Sequence, residues 1–160
     1  VCKGIAAYLA PAGMAADGYW IVGGGAKDTT DSGKMDEPFI AFARDLISDA
    51  GEDPSISLTG EGVFRGYAFT EAFRIADALP GGMSRTNLML ALRNFKIYHP
   101  GLLDGLVTEL KGNSDAYFVE GSEYSQFDAE NQTWVMVGDV VDANGGTPNC
   151  RWDKANGGCR

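Results

Sequence analysis

One apolar strand, followed by three amphipathic helices, is the feature that most constrains the fold of this chain. The run YWIV at residues 19–22 combines aromatic and β-branched side chains and predicts a buried strand that ends at Gly23. Apolar residues then recur at helical spacing over residues 37–51, 63–79 and 84–95. A parallel sheet needs several strands separated by crossover connections, so one strand cannot complete it. The order of elements therefore predicts an α/β protein of which this chain carries the second half.

The boundaries of these elements have signals of their own. Asp36 stands where it can cap the first helix, and Ser84 stands where it can cap the third. Residues 52–62 are expected to form an extended connector before the second helix. In the last third of the chain, short alternating runs around residues 112–113 and 130–131 predict a β-meander.

Charge and length exclude several classes of partner. The chain has 160 residues, enough for one well-packed domain, with 13 basic and 22 acidic residues and a net charge of −9. Nucleic-acid binding needs clustered cations, and no basic stripe is present. No apolar run approaches the roughly 20 residues that a bilayer span requires. Because the sequence starts at Val1 without a signal peptide, we expect a processed chain or a fragment.

The three cysteines indicate an oxidising compartment. Cys150 and Cys159 flank a polar, turn-rich loop, and no other His or Cys lies nearby to complete a zinc site. A disulfide between them would contribute about 2.5–3 kcal/mol on the chain-entropy model; two free thiols are the alternative. Cys2 has no internal partner left. The pattern predicts an extracytoplasmic, oxidising location.

The glycine-rich segments do not fit a phosphate-binding loop. Gly23, Gly24 and Gly25 follow the strand, but the next helix begins about ten residues later and the Lys-Ser/Thr of a P-loop is missing. Residues 60–66, GEGVFRG, also miss the dinucleotide spacing. We therefore expect no nucleotide and no other cofactor. Glycine's wide φ/ψ range suits residues 23–25 to a hinge instead.

Catalytic and metal-binding patterns are equally weak. His99 is the only histidine, and no G-x-S-x-G nucleophile motif accompanies it. Residues 128–134, DAENQTW, lack the glycine and the terminal glutamate of a calcium loop, so no metal site is predicted. Phe64 and Tyr67 are different, because they lie where a connector is expected to enter a helix. A helix start offers free N–H groups and a favourable dipole to a carboxylate.

Four segments taken together resemble a known family. They are AGMAADGYWIV at residues 12–22, MDEPFIAFARDL at 35–46, GYAFTEAFRIADALPGG at 66–82 and GLLDGLVTELKGN at 101–113. In order and spacing they resemble the solute-binding proteins of branched-chain-amino-acid ABC importers, the periplasmic binding proteins of type I. The resemblance covers about residues 5–140, which is only the C-terminal half of the family's length.

The resemblance implies two Rossmann-like α/β lobes joined by a three-strand hinge that closes on a ligand. Residues 1–24 would belong to the C-terminal lobe, residues 26–111 to the N-terminal lobe, and residues 114–160 would return to the C-terminal lobe with the disulfide-closed tail. The hinge crossing falls on Gly23, Gly24 and Gly25.

The same resemblance implies a site and partners. Glu61, Gly62, Phe64 and Tyr67 would face the cleft, and Lys3 falls near the ligand loop of the other lobe. Relatives that bind amino acids tend to have an acid at this position, so a lysine favours a carboxylate without an amine, such as an aliphatic or aromatic acid. Branched-chain amino acids are the other ligands that the resemblance implies. The implied partners are an ABC permease and either the missing N-terminal half or a second copy. With half of the cleft missing, the chain alone is not expected to bind.

Two alternatives remain open at this stage. One is a ligand-sensing receptor or regulator domain of the same fold. The other, from a different class, is a small hydrolase that uses His99 with a carboxylate.

Overall fold

A computed structural model describes residues 3–112, 114–146 and 152–159. A π-helical turn at Ile5–Leu9 continues into 3-10 turns at Ala10–Ala16, and a further 3-10 turn lies at Ser32–Lys34. The α-helices are α1 (Pro38–Asp49), α2 (Ser57–Ala78) and α3 (Arg85–Arg93). The strands are β1 (Trp20–Val22), β2 (Lys96–Ile97), β3 (Thr108–Glu109), β4 (Gly121–Ser122), β5 (Tyr124–Asp128), β6 (Thr133–Met136), β7 (Val141–Asp142), β8 (Trp152–Asp153) and β9 (Gly158–Cys159).

The architecture is mixed α/β with small antiparallel sheets. The largest sheet has three strands in the order β1-β5-β6, and the others are the pairs β2-β3, β4-β7 and β8-β9. All of these pairings are antiparallel, so the parallel sheet expected of a Rossmann-like lobe is not found in the described part of the chain. The helices follow one another without intervening strands, and a parallel sheet is built from strands that alternate with helices. The predicted hairpin at residues 130–131 is confirmed as the turn between β5 and β6.

Two apolar clusters form the core. The first joins the N-terminal turns to the three-strand sheet through Ile5, Leu9, Ala16, Phe127, Ala129 and Trp134. The second joins α1 to α2 through Ile40, Ala43 and Phe64. The strand predicted at residues 19–22 is confirmed, but its expected burial is wrong. Trp20 and Val22 are 54% and 61% exposed, because alternate side chains of this sheet point away from the core.

The first and third helices are confirmed, and one of the two predicted caps is found. The Ser84 hydroxyl accepts a hydrogen bond from the Asn87 amide at 3.1 Å, as an N-cap should. Glu37, not Asp36, occupies the N-cap position of α1, and its side chain makes no capping bond. Its carboxylate pairs instead with Lys27 and Lys34. Burial alone would raise the pKa of Glu37, but the two lysines outweigh it and lower that pKa.

The second helix differs most from the expectation. Residues 57–62 were expected to be extended, yet α2 begins at Ser57. Ser57 and Gly60 are buried against the loop at residues 28–31, so tertiary contact overrides the weak helix propensity of this glycine-containing stretch. Cys2 and Cys150 lie outside the described residues, and so does the predicted disulfide. The division into lobes stays a prediction.

Candidate functional site

A cavity of about 590 Å³ lies between α2 and the segments that follow β1 and β3. One wall is the face of α2 that carries Glu61, Phe64, Arg65, Ala68 and Phe69. The opposite wall contains Gly23, Gly24, Leu110, Phe118 and Val119. Apart from Glu61 and Arg65, these side chains are apolar or absent. The cavity can therefore receive an apolar body with a charged group near Glu61 and Arg65.

The cavity brings together part of the predicted site. Glu61 and Phe64 line it, and so do two of the predicted hinge glycines, Gly23 and Gly24. Gly62 also lies on α2 but does not line the cavity, and Tyr67 packs its ring beside the cavity against His99. The fold thus brings together residues that are about 40 positions apart in the sequence.

The expected helix start at Phe64 and Tyr67 is wrong. Because α2 begins at Ser57, both residues lie in its interior, where backbone amides are bonded within the helix. A carboxylate therefore cannot reach free amides there. A charged side chain is available instead. Arg65 lines the cavity, and its Nη2 lies 3.8 Å from Oε2 of Glu61 one turn earlier.

Sequence reasoning missed Arg65, although a signal was present. Glutamate four residues before arginine is the favourable order for a helical ion pair, and residues 61 and 65 have that spacing. The extended connector expected over residues 52–62 hid this pattern. The Arg65 side chain is 76% exposed, so the pair itself stabilises the helix little and the guanidinium is free to meet a carboxylate.

His99 lines the cavity and packs among three aromatic rings. Its Nδ1 accepts a hydrogen bond from the Gly101 amide at 3.1 Å, so Nε2 carries the proton and donates to the Phe64 carbonyl at 2.9 Å. The rings of Phe39, Phe64 and Tyr67 lie 5.1–6.1 Å from the imidazole. Burial lowers the pKa of His99. Both nitrogens are used by the backbone, and this arrangement does not favour the hydrolase alternative.

Lys3 takes a different position from the one implied by the resemblance. Its ammonium group pairs with the buried carboxylate of Glu123, and Lys3 is not among the residues that line the cavity. Glu123 in turn accepts a hydrogen bond from the Gly25 amide at 2.9 Å. Lys3 therefore acts on the glycine segment, residues 23–25, through Glu123.

Two buried acids, Asp28 and Asp31, had no role predicted from the sequence. Asp28 accepts hydrogen bonds from the amides of Ile5 and Thr30 at 2.6 and 2.9 Å. Asp31 accepts from the Gly33 amide at 3.0 Å, from the Thr133 hydroxyl and from the Trp134 amide at 3.4 Å. These bonds tie the loop to the N-terminal turns and to β6, and so fix the surface against which α2 begins.

Within residues 3–112, 114–146 and 152–159, no three His, Cys, Asp or Glu side chains converge as a metal site would require. None of the helices in those same ranges combines the length and apolarity needed to cross a bilayer. Comparisons with protein-family models, curated proteins and solved structures give no match to this chain.

Proposed function

We propose that this chain is the ligand-binding part of an extracytoplasmic solute-binding protein. It captures a small carboxylate-bearing molecule with an apolar body and delivers it to an ABC permease. One observation carries the proposal. The cavity joins Glu61 and Phe64, which the resemblance implies as ligand contacts, to Gly23 and Gly24, which it implies as the hinge.

The size and lining of the cavity support a small amphiphile. Its volume of about 590 Å³ falls in the range of small-molecule sites, roughly 300–1,000 Å³. Phe64, Phe69 and Phe118 offer apolar surface to the body of the ligand. Arg65 offers a planar pair of N–H donors, which suits a carboxylate. Glu61 can meet an ammonium group where the ligand is an amino acid.

The course of the chain supports a hinge at residues 23–25. The chain leaves the three-strand sheet after Val22 and returns to it at Tyr124, which pairs with Val22 in the sheet. Helices α1, α2 and α3 all lie between these two crossings. Two adjacent crossings are one requirement of such a hinge, and opening would also have to break the bonds by which Asp28 and Asp31 hold residues 28–31 to the N-terminal turns and to β6.

The resemblance implies that half of the cleft is missing, and that this chain alone does not bind. We propose that the chain binds ligand by itself all the same, because the described residues line a cavity whose volume suits a small molecule. The missing N-terminal half, or a second copy, would then add contacts to a site that already exists.

The test is a thermal-shift titration of the chain with L-leucine, L-valine, benzoate and phenylacetate. A ligand at a hundredfold excess over its Kd stabilises by about 2.7 kcal/mol, which raises the Tm of a domain this size by roughly 5–10 °C. Arg65→Ala should weaken binding of the active ligand by about tenfold or more, because a charge-assisted hydrogen bond is lost.

Arg74→Ala is the matched control. Arg74 lies on the same helix, is 74% exposed and pairs with Glu71, but it does not line the cavity. It should leave affinity unchanged. Absence of a shift with all four compounds, or equal losses in the two arginine variants, would contradict the proposal.

A further inference from the structure

Three consecutive backbone amides of the glycine segment are bound by two neighbouring residues. The Gly23 amide donates to the Glu123 carbonyl at 3.0 Å. The Gly24 amide donates to the Ser122 hydroxyl at 2.8 Å, and the Gly25 amide donates to Oε2 of Glu123 at 2.9 Å. Residues 122 and 123 thus fix the path of residues 23–25.

The carboxylate at the centre of this arrangement is buried and charge-paired. Glu123 is 2% exposed, and its second oxygen, Oε1, accepts from the Lys3 ammonium. Lys3 is held in turn, because its carbonyl accepts a hydrogen bond from the indole Nε1 of Trp134 at 3.0 Å. A buried ion pair contributes little net stability after desolvation of both charges. Its effect here is to fix geometry.

The pair stands directly behind one wall of the cavity. Gly23 and Gly24 line the cavity, whereas Lys3 and Glu123 do not. A Cβ added to Gly23 would lie 1.9 Å from Oε1 of Glu123 and 2.9 Å from Nζ of Lys3. The glycine backbone therefore lies in contact with the ion pair on one side and faces the ligand space on the other.

We propose that Glu123, held by Lys3, is a positioning residue for ligand binding: it fixes the glycine wall of the cavity at the distance from α2 that the ligand requires. This inference rests on the proposed function. Glu123 does not line the cavity; its carboxylate acts through the Gly25 amide, next to its backbone carbonyl, which binds the Gly23 amide.

The experiment compares Glu123→Gln, Lys3→Met, the double variant and Lys96→Met. Glu123→Gln keeps the shape and one acceptor oxygen but loses the charge. Lys3→Met leaves a buried carboxylate without its cation, and the double variant removes that unpaired charge again. Lys96→Met removes a cation that pairs with Glu109; the Lys96 side chain is 68% exposed and neither residue lines the cavity, so this variant is the control.

The first measurement is hydrogen exchange of the glycine amides by NMR, in the absence of any ligand. We expect exchange at Gly25 to accelerate about tenfold or more in Glu123→Gln, with amides outside residues 23–25 little changed, because the charge-assisted acceptor of the Gly25 amide becomes a neutral one. Lys3→Met should accelerate it further, and the double variant should recover part of the loss. Unchanged exchange, or an equal change across the whole protein, would overturn the assignment.

The second measurement is the Kd for L-leucine and phenylacetate. Glu123→Gln should weaken binding of the active probe about tenfold, and Lys96→Met should not. Faster glycine exchange with an unchanged Kd would refute the positioning role. If the unmodified chain binds none of L-leucine, L-valine, benzoate and phenylacetate, the proposed function fails and the positioning role fails with it. In that case the exchange data alone still decide whether the pair holds the glycines.

Discussion

Gly60→Ala is the change for which the structure gives the sharpest prediction. Gly60 is buried near the start of α2, where it packs against the loop that carries Thr29. A Cβ at this position would lie 2.0 Å from the Thr29 hydroxyl oxygen, 2.6 Å from its methyl carbon and 2.8 Å from its Cβ. All three distances are shorter than real Cβ contacts, so one of the two segments must move.

Thr29 has little freedom to move away. Its side chain is β-branched and the residue is 1% exposed. Its carbonyl accepts a hydrogen bond from Arg44 at 2.9 Å, which holds the loop to α1. Overpacking of such a site costs about 1–3 kcal/mol, and alanine regains at most about 1 kcal/mol over glycine in a helix. The net expectation for Gly60→Ala is a destabilisation of about 1–2 kcal/mol.

Gly62→Ala and Gly66→Ala are the matched controls on the same helix. An added Cβ meets no atom within 4 Å at either position, so only the gain in helix propensity remains. Each should stabilise the protein by about 0.5–1 kcal/mol. Urea unfolding followed by circular dichroism at 222 nm measures all three variants. If the Gly60→Ala variant is as stable as the Gly62→Ala variant, the close contact between α2 and the loop at residues 28–31 is refuted.

Three further predictions concern single hydrogen-bonded groups. Burial lowers the pKa of His99 from its usual 6.5, so its stability contribution is complete above pH 6.5 and is lost as the pH falls toward the lowered value. His99→Gln should remove this slope, which is at most about 1.4 kcal/mol per pH unit, in urea titrations between pH 7 and 5; an unchanged slope would refute it. Asp31→Ala leaves buried donors without an acceptor and should cost about 2–4 kcal/mol, whereas Asp31→Asn should cost less; equal losses would contradict this reading. Ser84→Ala should lower the free energy of unfolding by about 1 kcal/mol, because the Asn87 amide loses its cap. Ser84→Asp should retain most of that stability when the two variants are compared by thermal unfolding.

Elements with strong local signals were predictable from the sequence. The apolar periodicity of α1, the serine cap of α3 and the β5-β6 hairpin each depend on a few neighbouring residues. Short-range preferences decide such elements, because the relevant contacts form within one or two turns of chain. The mixed α/β class followed from their order.

Features that depend on distant contacts were not predictable. The start of α2 is fixed by packing of Gly60 on Thr29, and a glycine-containing stretch gives no local sign of that partner. Residues 27–36 show no apolar periodicity, yet Asp28 and Asp31 are buried because amides from other elements converge on them. The cavity depends on residues within 23–26, 61–69, 92–102 and 110–119, so the expected helix start could suggest Phe64 but could not show what faces it.

The glycines at residues 23–25 show that glycine can serve two structural purposes, of which only one was predicted from the sequence. Sequence favoured glycine at residues 23–25 for flexibility, but a glycine also permits close approach of another group. Gly23 has no left-handed φ, and the Glu123 carboxylate occupies the space of its missing Cβ. Gly25 combines a φ of +76° with a missing Cβ that would lie 2.2 Å from Leu106. Only Gly24, with a φ of +69° and nothing within 4 Å of an added Cβ, has open space around it. Bending of a hinge here is therefore sterically least hindered at Gly24, and it requires that the bond from the Gly24 amide to the Ser122 hydroxyl break.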